Sequence, residues 1–122
     1  MDNAKKILEN IKTTKTLLGK STITSGNKYQ VKISYNGKNC YMVYNDNFYN
    51  NSTKEDFLYC LMSDALAYTN CYNFADFMAE FGYSREAEAK KVYNGCKRQY
   101  IKYNKLFNNA EQKELEDYFS NY

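Results

Sequence analysis

Histidine, proline and tryptophan are absent from this 122-residue chain, and glycine occurs five times. Without histidine, the chain lacks the usual general base near neutral pH and the commonest nitrogen ligand for transition metals. Cysteine nucleophiles usually draw on a neighbouring histidine, and none is available. Cys40, Cys60, Cys71 and Cys96 are far apart, with no C-x-x-C pair, so the ligand spacing of a zinc site is missing. No carboxylates recur in the pattern of a paired acid and base. No long apolar run follows Met1-Asp2-Asn3-Ala4-Lys5, so neither a secretory signal nor a membrane-spanning segment is expected. These absences argue against an enzyme and against a cofactor or metal. They fit a cytoplasmic protein with reduced thiols.

Two stretches imitate ligand-binding motifs. Gly19-Lys20-Ser21 looks like the tail of a phosphate-binding loop, but Thr14 stands where that motif needs its first glycine. A helix is also expected before it, where the motif requires a strand. Residues 46–51 have the composition of a calcium loop without its central glycine or terminal glutamate. Asp64 lies at the edge of an apolar helix face, which permits a shifted pKa; pairing with a lysine or a tyrosine hydroxyl is the expected arrangement.

Apolar and aromatic residues are plentiful. Fourteen Tyr and seven Phe supply much of a core whose hydroxyls need partners or water. A chain of this length buries a core without metals or disulfides, and 1–122 is read as a single domain. Residues 2–18 read as an amphipathic helix through Ala4, Ile7, Leu8, Ile11, Leu17 and Leu18, with Gly19 as its stop. Tyr29 to Tyr44 reads as a hairpin about the Asn36-Gly37 turn, pairing Ile33 with Cys40, Val31 with Met42 and Tyr29 with Tyr44. Ser21 to Ser25 is a candidate third strand. Ser52-x-x-Glu55 forms a capping box for a helix running to about Thr69, with Phe57, Leu58, Leu61, Met62, Ala65 and Tyr68 on one face. Asn73 caps a short helix that Gly82 ends. Ser84 caps a long one, and Asn109 to Gln112 opens the last.

The long helix, Ser84 to Phe107, has two different faces. Ala89, Tyr93, Cys96, Tyr100, Tyr103 and Phe107 recur at helical spacing and should meet the core. Lys91, Arg98, Lys102 and Lys105 lie opposite, flanked by Lys90 and Lys97. Residues 84–110 carry seven Lys or Arg against two acids, whereas 52–83 carry one Lys against five acids. Blocks of opposite sign can satisfy each other within the fold, or a basic face can meet an acidic protein surface or track phosphates. The six basic residues named here are the candidate binding site.

From Phe57 onward the pattern resembles a family of small accessory proteins from phages and mobile elements of low-GC bacteria. The residues that carry it are Leu61-Met62-Ser63-Asp64-Ala65, Phe74-Ala75-Asp76-Phe77, Glu80-Phe81-Gly82-Tyr83, Cys96-Lys97-Arg98-Gln99 and Leu106-Phe107. An Asn-, Lys- and Tyr-rich composition points to the same kind of source. The resemblance implies a non-enzymatic interaction protein of the bacterial host cytoplasm. Its partner would be a bacterial defence protein or ribonucleoprotein, inhibited in the anti-CRISPR manner; the other reading is a small nucleic-acid-binding accessory protein. It carries no functional residue over. The expected fold is α+β: an N-terminal helix and a small antiparallel β-hairpin or three-stranded meander, packed on a C-terminal bundle of three to four helices.

Overall fold

The computed structural model describes residues 3–22, 26–45 and 52–120. The order is α1 (Asn3–Glu9), β1 (Lys12–Lys20), β2 (Asn27–Tyr35), β3 (Lys38–Asn45), α2 (Lys54–Thr69), α3 (Phe74–Phe81), α4 (Glu86–Leu106) and α5 (Asn109–Phe119). This is the expected α+β class, with a three-stranded antiparallel sheet followed by four helices. The chain divides into two compact units, Met1–Phe57 with Lys105–Tyr122, and Leu58–Asn104.

In the first unit the hairpin has the expected register: Tyr29 opposite Tyr44, Val31 opposite Met42 and Ile33 opposite Cys40. Asn36 and Gly37 take φ of 50° and 76°, as a type I′ turn requires. Val31, Ile33, Tyr35, Cys40 and Met42 are buried on one face. Tyr35 packs on Phe107 with ring centroids 5.0 Å apart, and Tyr44 on Phe57 at 5.1 Å. Helix α1 packs against α5, burying Ala4, Ile7 and Leu8 on one side and Leu115 and Phe119 on the other.

The N-terminal segment corrects the sequence reading. The helix stops at Glu9, and Lys12–Lys20 is strand β1, paired antiparallel with β2. The Asn10 amide donates to the Lys6 carbonyl at 2.9 Å and closes the last turn. The Lys54 ammonium donates to the Leu8 and Ile11 carbonyls at 2.6 and 3.3 Å, a cation where the helix dipole favours one. Beyond that point Thr13, Thr14 and Thr16 favour a strand through their branched side chains. Leu17 and Leu18 only imitate helical spacing; they are 59% and 49% exposed. Gly19, with φ 135°, ends no helix but follows a bulge that shifts the β1–β2 register after Leu17. The strand expected at Ser21 to Ser25 is not formed at Ser21 and Thr22, and its remainder lies outside the described residues. Residues 46–51, the calcium-like loop, lie outside them too.

Three caps sit one residue away from where the sequence places them. Thr53, not Ser52, caps α2: its hydroxyl accepts from Asp56 N at 3.3 Å while Asp56 accepts from Thr53 N at 3.0 Å. Asn108 caps α5 in a capping box with Glu111. The expected Asn73 cap and left-handed Gly82 terminus of α3 are formed. Helix α4 starts at Glu86, so Arg85 and not the expected Ser84 holds its N-cap position; the Arg85 carbonyl accepts the first hydrogen bond, from Ala89 N at 3.0 Å.

The second unit is built on rings. Cys71, Phe77 and Cys96 form a buried cluster, with Ala67, Tyr68, Tyr83 and Tyr93 packed against it. Tyr100 meets Tyr68 at 5.2 Å, Tyr68 meets Tyr93 at 5.4 Å, and Tyr93 meets Phe77 at 5.1 Å edge-on. Part of the tyrosine excess is thus structural, with rings packed together and the Tyr68 and Tyr93 hydroxyls hydrogen-bonded to each other.

Candidate functional site

From Ala89 to Phe107 the chain has six Lys or Arg and no acidic residue. Helical geometry divides these cations among several lines. Lys91 and Arg98 run along one edge of the solvent face of α4, and Lys90 and Lys97 along the other, with Asn94 and Ile101 between. All four cations are exposed, and Ile101 is 57% exposed, an apolar centre in a basic frame. Lys105, in the last turn, is exposed and belongs to the first unit. Lys102 departs from the expectation: it is half-buried and makes contacts of its own, so it is not part of an open basic line. Lys90 lies 5.9 Å from the centroid of the Phe74 ring, a cation–π distance that steadies its ammonium beside α3. The ring stripe of α4 points inward as expected, with Ala89, Cys96, Tyr103 and Phe107 buried.

Asp64 is half-buried on α2, and its partner is Gln99 of α4 rather than a lysine or a tyrosine. Burial raises its carboxyl, and the Gln99 hydrogen bond partly offsets this. Burial, then the Asp64 charge and Cys71, push the Cys96 thiol up to about 11. Burial, then Asp76 and Glu80, raise the Cys71 thiol. Such thiols stay protonated at neutral pH and are poor nucleophiles. Among the described residues, no group of three or more His, Cys, Asp or Glu converges to hold a metal, and no buried side-chain polar atom lacks a hydrogen-bond partner. No described helix is long and apolar enough to cross a membrane. The described residues of the first unit include the lining of an open cleft of about 200 Å³, formed by Lys5, Leu8, Glu9, Lys54, Glu55 and Tyr118. Another, of about 310 Å³, is lined by Asn10, Lys12, Ser34, Tyr35, Asn36 and Gly37.

Sequence reasoning finds only half of a second surface: the hairpin alternation sets Gln30, Lys32, Tyr41 and Val43 opposite the apolar face and makes Lys32, Tyr41 and Val43 the next candidate contact after α4, but the strand that completes it, β1, is missed. From Asn10 to Asn45 the chain has six lysines and no acid, so the whole sheet is basic. The face opposite the buried Val31 and Ile33 carries cross-strand rows Lys12–Ser34–Asn39, Thr14–Lys32–Tyr41 and Thr16–Gln30–Val43. Lys28, opposite Gly19 and Asn45, extends it. Tyr41 and Val43 are 47% and 53% exposed. Ser34 donates to Asn39 at 2.7 Å across the strands. The signal in the sequence is the missing acids, which a reading of residues 12–18 as helix conceals.

Comparison with protein-family models, curated proteins and solved structures gives no match for this chain.

Proposed function

We propose that the protein acts by binding, as a non-enzymatic, phage-encoded inhibitor of a bacterial defence protein or ribonucleoprotein in the host cytoplasm. The α4 face is its contact with an acidic protein surface. The supporting observation is the solvent face of α4 beyond its acidic first turn, acid-free from Ala89 onward, where exposed Ile101 sits between Lys90 and Lys97 on one side and Lys91 and Arg98 on the other. An apolar centre framed by cations suits a protein interface, in which the centre excludes water and the rim charges steer encounter. The other reading, nucleic acid on this same face, has less support. The Tyr rings of α4 are engaged in the core, as the Tyr68–Tyr93 and Tyr68–Tyr100 contacts illustrate, which leaves few rings for stacking bases.

The test expresses the protein in a CRISPR-immune low-GC host and measures phage plating, alongside the charge reversal K91E/R98E/K105E. The wild type should restore plating and retain a defence component on affinity capture. The reversed variant should lose both while melting normally, because surface charges each contribute about 1 kcal/mol or less to folding. Undiminished inhibition by the folded variant would remove α4 as the contact. No restoration by the wild type would remove the defence reading.

A further inference from the structure

We propose that the solvent face of the three-stranded sheet binds single-stranded nucleic acid. The inference is independent of the α4 reading and concerns a different surface. Its first support is charge. Every Lys of residues 10–45 lies on the sheet or its turns, and no carboxylate interrupts them. On the solvent face Lys12 and Lys28 are exposed, and Lys32 stands between them on the central strand. With side chains on one face repeating every second residue, Lys28 to the Lys12 row spans about 20 Å along the strands. That is a track for a run of phosphates, not a site for one anion.

The second support is the nature of the groups between the lysines. Tyr41 stands in the same cross-strand row as Lys32 and presents 47% of its surface to solvent. An aromatic ring on an open sheet beside a lysine offers a base a stacking surface and its phosphate a counter-charge. Thr14, Thr16, Gln30, Ser34 and Asn39 supply donors and acceptors for base edges and sugar hydroxyls, and Val43, 53% exposed, is the apolar member of the face. An acidic protein partner would use the lysines equally well but gives Tyr41 no specific task. An exposed ring set among lysines also suits a single strand, whose bases are free to stack, better than a duplex, whose bases are paired and stacked inside.

The experiment is fluorescence anisotropy with labelled single-stranded RNA and DNA of about 12 nucleotides, a length small sheet modules cover. It uses the full chain and includes duplex DNA and polyglutamate as competitors. Three phosphate contacts give a log–log salt slope of about −2, so binding should weaken about 20-fold between 50 and 200 mM salt. The K12A/K28A/K32A variant should flatten that slope. Y41A should bind at least about 5-fold more weakly, whereas Y41F, which keeps the ring, should bind like the wild type. K91E/R98E should leave this binding within about twofold, so that failure here and failure of the α4 reading are told apart. Thermal melts establish that each variant is folded. Wild-type affinity in folded K12A/K28A/K32A and Y41A variants overturns the proposal. So does loss of binding only on reversing α4. Equal competition by polyglutamate with no effect of Y41A reassigns the face to an acidic protein partner. Preference for RNA over DNA, or the reverse, identifies which strand the face takes.

Discussion

Glu111 serves two structures at once, and the cost of removing it follows from its contacts. Its Oε1 accepts from Asn108 N at 2.9 Å, completing the capping box of α5, and its Oε2 accepts from the buried Tyr35 hydroxyl. Tyr35→Phe keeps the ring against Phe107 and removes only the donor. That should cost about 1–2 kcal/mol, the lower part of the range for a hydrogen bond to a charged group, because Glu111 is half-buried. Glu111→Ala removes the cap partner as well and should cost about 2–3 kcal/mol. The double variant should cost less than the sum, with a coupling of about 1 kcal/mol in a double-mutant cycle. Urea unfolding measures this as midpoint shifts at constant slope. The titration offers a separate check. Burial first, then the Glu111 hydrogen bond and charge, push the Tyr35 phenol from 10.0 up to about 12. A raised phenol pKa favours the neutral form in the fold. Its contribution is therefore fully present below pH 10 and is lost as pH rises through about 12. Wild-type stability should fall more steeply over that window than that of Tyr35→Phe. A coupling below about 0.3 kcal/mol, the scatter of independent sites, would refute the shared role of Glu111.

Val31→Ala should destabilise by about 1–3 kcal/mol in urea unfolding, since Val31 is fully buried opposite Met42 and the vacated space cannot refill. Asp64→Asn should raise the melting temperature at pH 7. Burial raises the Asp64 carboxyl above its ordinary 3.8, so the stability of the neutral form is present below that value and is lost as pH rises through the folded pKa. The isosteric amide should abolish that fall while still accepting from Gln99.

The hairpin is legible in the sequence because three independent cues agree. Alternation, the Asn36-Gly37 turn and the outward count all give Val31 opposite Met42. The α4 stripe is legible for the same reason, as its period runs for five turns. The caps of α2 and α5 are ambiguous by one residue because boxes overlap, Ser52-x-x-Glu55 with Thr53-x-x-Asp56 and Asn108-x-x-Glu111 with Asn109-x-x-Gln112. Strand β1 is misread because Leu17 and Leu18 fall at helical spacing from Ile7 and Ile11 by coincidence. The deciding facts are tertiary: Lys54 and Asn10 close α1, and β2 offers an open edge. The candidate cations occupy exposed positions except Lys102, whose place near the helix flank no linear pattern reveals. The hairpin half of the sheet face, with Lys32, Tyr41 and Val43, is legible from the same alternation, whereas the half that β1 supplies is hidden because that strand reads as helix.

The cysteines give the chain two internal clocks. Cys40 is buried in the first unit, and Cys71 and Cys96 are buried in the second. A buried thiol reacts with an alkylating reagent only when its surroundings open, and the raised pKa of Cys96 slows it further while the unit is closed. A chain retaining only Cys40 therefore reports the opening rate of the sheet, and one retaining only Cys96 that of the ring-lined helices. Equal rates at all denaturant concentrations would mean that the chain opens as one cooperative body. A faster Cys96 would mean that the helices breathe while the sheet stays shut.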